Sequence, residues 1–194
     1  MPETNPTEKE LLQKLKTGNR KAFRALFDQY YKYLVVTAFN VLGDSDSARD
    51  LAQDVFVEIW KKRDSLKITS SLKSYLRRAV VNKTLNHIKA SRIDFADPVT
   101  LPEQTANTHG EDEKLHAADL EKIIHAAIAN LPERCRIIFT LCRLEKLSHK
   151  EIAAQLDIST KTVENQMGSA LKFLKMELAE YVISFLLLLI LLSE

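Results

Sequence analysis

Glycine and proline are scarce in this 194-residue chain, with four of the first and five of the second, and no proline falls between residues 7 and 97. Both residues break helices and build turns, so their scarcity argues against a turn-rich β architecture and favours long helices. Cysteine is scarcer still. Cys135 and Cys142 are the only two, with no CxxC spacing and no Cys/His cluster, which leaves neither a disulfide framework nor a zinc site. Seven residues apart on a helix, they are expected to face one side and pack. The five histidines (His87, His109, His116, His125, His149) show no HExxH spacing, and there is no glycine-rich phosphate loop or nucleophile motif. Nothing points to an enzyme, a cofactor or a small-molecule substrate. The polar N-terminus MPETNPTEKE carries no signal peptide, so a reducing cytoplasm is expected. Apolar residues at 45% and charged residues at 28% fit one medium or two small packed domains. The expected fold class is all-α.

A net charge of +2 conceals a strong asymmetry. Residues 8–93 hold 18 Lys/Arg against 9 Asp/Glu, residues 94–118 hold one lysine against six acids, and residues 119–178 hold nine bases and eight acids. Within the first block, residues 61–92 carry ten Lys/Arg and one acid, Asp64. Solvated helix faces usually interleave acids with bases. An uninterrupted basic run is instead the electrostatic footprint of a face that binds a polyanion.

The apolar periodicity divides the first block into four helices. Leu11, Leu12 and Leu15 predict a short helix ending near Gly18. Phe23, Leu26, Phe27, Tyr30, Leu34, Ala38 and Val41 predict a long one that stops at Gly43. Ser45 or Asp46 can cap a third, carrying Ala48, Leu51, Val55, Phe56 and Ile59, with Trp60 in the core. Ser70 or Ser71 can cap a fourth, carrying Leu72, Tyr75, Leu76, Ala79, Val80, Leu85 and Ile88. Residues 92–113 contain two prolines, a glycine and no periodicity, the composition of an acidic, mobile linker. Beyond it Leu131-Pro132 predicts a break, with proline opening the next helix.

The second half ends in a helix-turn-helix pattern. Ser148-His-Lys-Glu151 is a capping box, Ile152, Ala153 and Leu156 form an inward stripe, and Asp157 occupies the sharp turn before Ile158. Ser159 or Thr160 opens a second helix anchored by Val163, Met167, Ala170, Leu171 and Leu174. Lys161, Thr162, Glu164, Asn165, Gln166, Ser169 and Lys172 are expected to face outward, where the second helix of this motif meets major-groove bases and phosphates. A generic helical hairpin can mimic the spacing, but not the combined turn, small Ala153 and Thr-x-Val start.

These pieces, taken in order, resemble the extracytoplasmic-function (ECF) group of RNA polymerase sigma factors. Asp50-Leu-Ala-Gln53-Asp54-Val-Phe56-Val-Glu-Ile-Trp60 is similar to the family's polymerase-binding helix. Tyr75-Leu-Arg-Arg-Ala-Val-Val-Asn82-Lys83-Thr-Leu-Asn86-His-Ile is similar to its promoter-melting helix. Leu131-Pro-Glu-Arg, Leu147-Ser-His-Lys-Glu-Ile-Ala-Ala-Gln-Leu and Thr162-Val-Glu-Asn resemble its C-terminal DNA-reading domain. The resemblance implies sigma region 2 over residues 8–92, a linker over 93–113, sigma region 4 over 114–178 and an apolar tail over 179–194. It implies that Asp50, Gln53 and Asp54, which share a helix face, bind core RNA polymerase. It implies that Asn82 contacts a flipped minus-ten base, with Lys73, Arg77, Arg78, Lys83, Lys89 and Arg92 on phosphates. Region 4 would read the minus-thirty-five element. Tyr75 can stack on a base, although its place on the apolar stripe favours the core. The acidic linker either threads the polymerase's nucleic-acid channels or merely solubilises. The implied partners are core RNA polymerase, promoter DNA and an anti-sigma protein, often membrane-bound.

Three features stand apart. The recognition helix shows Glu164, Asn165 and Gln166 where arginines are common, and Gly168 sits mid-helix at a cost of roughly 1 kcal/mol relative to alanine. Tyr181–Leu192 is almost wholly apolar but at about 1.5 Å per residue is too short to cross a bilayer of roughly 30 Å. It is expected to dock onto the first domain or a partner and restrain DNA binding. The competing function is a regulator that uses only the helix-turn-helix and never joins polymerase.

Overall fold

The computed structural model describes residues 8–66, 68, 71–91, 93–95, 117–179 and 181. They form eight α-helices in two compact units, Met1–Arg92 and Ile93–Glu194. Among the described residues there is no strand, as the shortage of turn formers predicts. No described helix is long and apolar enough to cross a membrane.

The first unit holds α1 (Glu8–Lys16), α2 (Arg20–Leu42), α3 (Ser45–Lys62) with a trailing 3-10 turn, and α4 (Leu72–Ala90). Asn19 starts α2, its side chain accepting from the backbone N–H of Lys21 and Ala22 at 2.9 and 3.1 Å. Gly43, at φ 72°, ends it in the left-handed conformation that glycine adopts without a Cβ penalty. The cap of α3 is Asp44 rather than Ser45 or Asp46. Its carboxylate accepts from Ser47 N–H at 2.8 Å, and extended geometry at Asp44 follows directly from the turn at Gly43. Ser71 caps α4.

Helices α2, α3 and α4 pack around Leu26, Leu34, Val41, Phe56, Leu72, Leu76 and Ile88, all buried. Removing each such side chain from water contributes roughly 1.5–3 kcal/mol. Phe56 also meets Phe27 at 4.9 Å. Trp60 is only half-buried, with Phe23 5.0 Å away on one side and the Arg63 guanidinium 4.8 Å from its ring. Glu8 of α1 ties the bundle together. One carboxylate oxygen accepts from Tyr30 Oη at 3.2 Å and the other from Leu72 N–H at 3.3 Å, at the positive end of α4. Burial, and then the Glu8 charge, push the Tyr30 phenol up from its ordinary value.

The second unit holds α5 (Ala117–Ala129), α6 (Glu133–Arg143), α7 (His149–Leu156) and α8 (Thr160–Glu177). Ala127, Ile128, Leu131, Cys135, Ala170, Phe173 and Leu174 form one of its apolar clusters. Pro132 is the residue before α6 rather than its first helical residue, at φ −50° and ψ 140°. Cys135 is buried, its thiol pushed up to about 11 by desolvation, while Cys142 is half-buried. Of the 93–113 segment, Ile93, Asp94 and Phe95 are described, and Phe95 is buried. The expectations for the rest of that segment and for the tail beyond Tyr181 lie outside the described residues.

Candidate nucleic-acid and polymerase interface

Helix α3 places Asp50, Gln53 and Asp54 on one exposed stripe, because residues three and four apart are neighbours on a helix surface. Val57, 48% exposed, continues that stripe. Its apolar type gave no signal of exposure; with Ala52, Val55, Phe56 and Ile59 turned inward, Val57 falls outside the buried arc of α3. The stripe is therefore an acidic and amide face with an apolar residue at one end, a mixture that suits a protein partner.

Helix α4 carries Lys73, Arg77, Arg78, Lys83 and Lys89 and no acid along its 19 residues. The 3.6-residue period divides these cations among three directions. Arg78, Asn82 and Lys89 lie on one exposed stripe, with Asn86 beside them. Asn86 is a second amide one turn beyond Asn82, and its i, i+4 spacing was the signal that could have singled it out. Lys73 lies elsewhere, with its ammonium 4.9 Å from the centre of the Tyr33 ring, and Arg77 is half-buried. Lys83 turns toward α3. Its Nζ lies 3.6 Å from Asp54 Oδ2 and 3.4 Å from Glu58 Oε2. Glu58 also accepts from Lys62, and that hydrogen bond is the main reason its carboxyl lies below the ordinary carboxylate range, with Lys83 adding to it. Tyr75 is half-buried at the edge of the Asn82 stripe. Arg92 lies outside the described residues.

In the second unit, α7 and α8 form the expected helix-turn-helix. Ser148 N–H donates to Glu151 Oε2 at 2.8 Å, and Glu151 N–H donates to Ser148 Oγ at 3.3 Å, closing the capping box. The Ser148 hydroxyl, donating to Glu151 Oε2 at 2.6 Å, and after it the Ser148 backbone N–H hold the Glu151 carboxyl below its ordinary value. Asp157 makes the turn at φ 61°, a left-handed conformation that aspartate tolerates better than most residues. Ile158 N–H then donates to Ala153 C=O at 3.0 Å, and Ser159 caps α8 through Thr162 N–H at 2.9 Å.

The outward face of α8 comprises Lys161, Glu164, Asn165 and Lys172, all exposed, with Thr162 and Ser169 half-buried on its flank. Lys161 Nζ lies 3.6 Å from Glu164 Oε2. The Thr162 hydroxyl lies 2.8 Å from Ser159 Oγ, so it belongs as much to the cap as to the surface.

Two expectations for this helix are corrected. Gln166 does not face outward: it is 3% exposed, on the stripe of Val163, Ala170 and Phe173. Its Nε2 donates to Phe95 C=O at 2.9 Å and its Oε1 accepts from Cys135 Sγ at 3.4 Å. The 3-4-3 spacing of those four positions was visible, but the residue type was not apolar. Leu171 does not anchor the core. It is 45% exposed, one turn beyond the open Gly168, while Phe173 takes the interior position. Among the described residues no group of His, Cys, Asp or Glu is arranged to hold a metal ion.

Comparison with known proteins agrees with this division. The sigma-70 region 2 family matches residues 26–93, and the sigma-70 region 4 family matches residues 121–174. The chain is 24% identical over 185 residues to the ECF RNA polymerase sigma factor SigW of Bacillus subtilis, spanning 89% of this chain and 97% of SigW. It is 26% identical over 173 residues to the ECF RNA polymerase sigma-E factor of Escherichia coli K12, covering 84% and 90% of the two chains. Among solved structures it is similar to the sigma factor RpoE in complex with the anti-sigma factor NepR from Bartonella quintana. That match has 20% identity and a TM-score of 0.44, covering 82% of this chain and 98% of RpoE. Regions 2 and 4 in this order, with relatives aligned over nearly their full lengths, make the chain a member of the sigma-70 family, an ECF sigma factor that recognises promoters for RNA polymerase.

Proposed function

We propose that the chain divides its work among three exposed helix faces. The Asp50, Gln53, Asp54 and Val57 face of α3 binds core RNA polymerase. The Arg78, Asn82, Asn86 and Lys89 face of α4 holds the non-template strand of the minus-ten element. The Lys161, Glu164, Asn165, Ser169 and Lys172 face of α8 reads the minus-thirty-five element. The observation that carries the reading is α4: 19 residues with five Lys/Arg and no acid, presenting an amide between two cations.

An amide offers a donor and an acceptor to an exposed base edge, while Arg78 and Lys89 neutralise phosphates on either side. Extracting a base costs a few kcal/mol, which those charge contacts offset. Lys73 and Arg77 meet the strand from a separate direction, and Lys83 reaches phosphate only after exchanging Asp54 and Glu58 for it. On α8, Asn165 suits adenine, and exposed Leu171 suits a thymine methyl group. Thr162 orients the start of the helix through its cap.

No catalytic step belongs to the chain itself, and no cofactor takes part. The cytoplasm is its working compartment, and an anti-sigma protein joins polymerase and promoter DNA as a partner. Two substitutions separate the faces. Asp54→Lys places a cation against Lys83 on the polymerase face and lowers affinity for core polymerase. Asn82→Ala leaves core binding intact and abolishes melting, read as permanganate reactivity of unpaired thymines near the start site. Equal core affinity for the first, or equal melting for the second, removes that residue from its assigned face.

A further inference from the structure

Lys83 stands next to Asn82 in the chain, yet its ammonium lies against α3, 3.6 Å from Asp54 Oδ2 and 3.4 Å from Glu58 Oε2. Successive residues on a helix point about 100° apart, so Lys83 projects from the flank of the exposed Asn82 stripe toward the neighbouring helix. The two carboxylates around it differ in what else they do. Glu58 also accepts from Lys62 on its own helix, so it is matched without Lys83. Asp54 is the more open partner. Its side chain is 64% exposed, against 26% for Lys83, and it lies on the stripe with Asp50, Gln53 and Val57. Both distances to Lys83 are longer than the roughly 2.7–2.9 Å of a tight charge-assisted hydrogen bond. An ammonium is a compact charge on a flexible four-carbon stem, able to turn from one anion to another. One cation of the strand-binding helix is thus held by a carboxylate of the polymerase-binding face.

We infer that Asp54 and Lys83 form an exchangeable ion pair that couples the two faces of the first unit. Polymerase takes Asp54, and Lys83 turns to the phosphate beside the nucleotide that Asn82 holds. In the free chain the pair withholds this cation from the strand. A protein surface complementary to Asp50 and Asp54 is cationic, so its arrival both replaces Lys83 at Asp54 and repels it. Glu58, already neutralised by Lys62, is a weak competitor for the released ammonium. Linkage makes the effect reciprocal: a strand that takes Lys83 leaves Asp54 without its cation and raises affinity for polymerase by the same factor. The factor is modest, about threefold, because an exposed ion pair is weak. The inference rests on the proposed assignment of α3 to polymerase and α4 to the strand, but the pair itself is testable in the free chain.

The experiment measures binding of a fluorescent oligothymidine strand to the full chain by anisotropy over a range of salt concentrations. Phosphate contacts do not depend on base sequence, so this probe reads Lys83 directly. Asp54→Asn should raise affinity about threefold and steepen the log–log salt slope by about 0.7, as one added phosphate contact on a single strand requires. Both gains should vanish in the double variant with Lys83→Met. Asp46→Asn removes the same charge from α3 beside Arg49 rather than Lys83, and any gain it gives should survive Lys83→Met. Circular dichroism checks that each variant keeps its helices, with Lys83→Gln in place of Lys83→Met if the latter does not fold. With saturating core polymerase, Lys83→Met should cost about threefold more strand affinity than in the free chain, and saturating strand should tighten polymerase binding of the parent more than that of Lys83→Met. An Asp54→Asn gain that survives Lys83→Met is a general charge effect and overturns the pair. Loss of thermal stability in Asp54→Asn, with the affinity and slope of the parent, makes the pair a structural staple and also overturns it. An equal cost of Lys83→Met with and without polymerase overturns the exchange. Failure of the parent to bind polymerase overturns the functional assignment and the coupling together, while the free-chain cycle still decides whether Asp54 holds Lys83 back from phosphate.

Discussion

Replacing Gln166 by alanine should destabilise the second unit without touching a DNA contact. The side chain is 3% exposed and makes two hydrogen bonds, one of 2.9 Å to Phe95 C=O and one of 3.4 Å from the Cys135 thiol. Losing a good neutral hydrogen bond costs about 1 kcal/mol, and leaving the buried Phe95 carbonyl without its donor adds about 1 kcal/mol or more. The cavity left by four heavy atoms adds about 1 kcal/mol after partial collapse. The total is about 3 kcal/mol, more than a hundredfold in the folding equilibrium. Urea denaturation followed by far-ultraviolet circular dichroism measures it, with Asn165→Ala as the control. Asn165 is exposed one residue away, so its loss should change stability by less than about 0.5 kcal/mol while weakening promoter binding. If Gln166→Ala matches the parent in stability but loses promoter binding, Gln166 faces outward after all.

Other outcomes follow from the same geometry. Gly168 is exposed, with nothing within 4 Å of a built Cβ, so Gly168→Ala should gain roughly 1 kcal/mol in helix stability, or several degrees in Tm. A lower Tm would show that the position is constrained in some other way. If the same variant binds promoter DNA more weakly, the glycine is there for close approach of the DNA backbone. The Glu151 carboxyl is held below its ordinary value of 4.5 by Ser148. A carboxyl depressed in the folded state stabilises above its unfolded pKa, and that contribution fades as pH falls through the folded one. Glu151→Gln should therefore lower stability at neutral pH and flatten its decline below about pH 4.5. An unchanged pH profile would remove the capping box from the acid response. Cys135 should resist alkylation in the native protein at pH 8, since its thiol is buried with a pKa near 11. Modification at the rate of an exposed thiol would contradict the packing around it.

The helices were legible in the sequence wherever apolar spacing and turn chemistry agreed. Gly43, Ser71, the Ser148–Glu151 box, Asp157 and Ser159 all stand where local rules place them. Asp44 was missed as a cap because three consecutive residues, Asp44, Ser45 and Asp46, can each serve, and only the position of the preceding turn chooses among them. The faces of α8 were legible except where residue type and burial part company. Gln166 is buried because two partners, one of them 71 residues away in sequence, satisfy its amide, and no local pattern reveals a partner at that distance. Leu171 is its counterpart, an apolar residue left outside because the neighbouring stripe already fills the core. The charge of α4 and its division among three directions followed from the sequence and the helical period, but the carboxylates of α3 that take Lys83 belong to another element, which no spacing along α4 reveals.

The central claim is that this chain delivers RNA polymerase to promoters. Purified chain, mixed with bacterial core polymerase and a promoter library, should bind the core and produce RNA from start sites that core alone does not use. Asn82→Ala should bind equally well and produce none of those transcripts. If the chain binds promoter DNA through α8 but neither it nor a form truncated after residue 180 binds core polymerase, the account is contradicted, and a free-standing helix-turn-helix regulator takes its place.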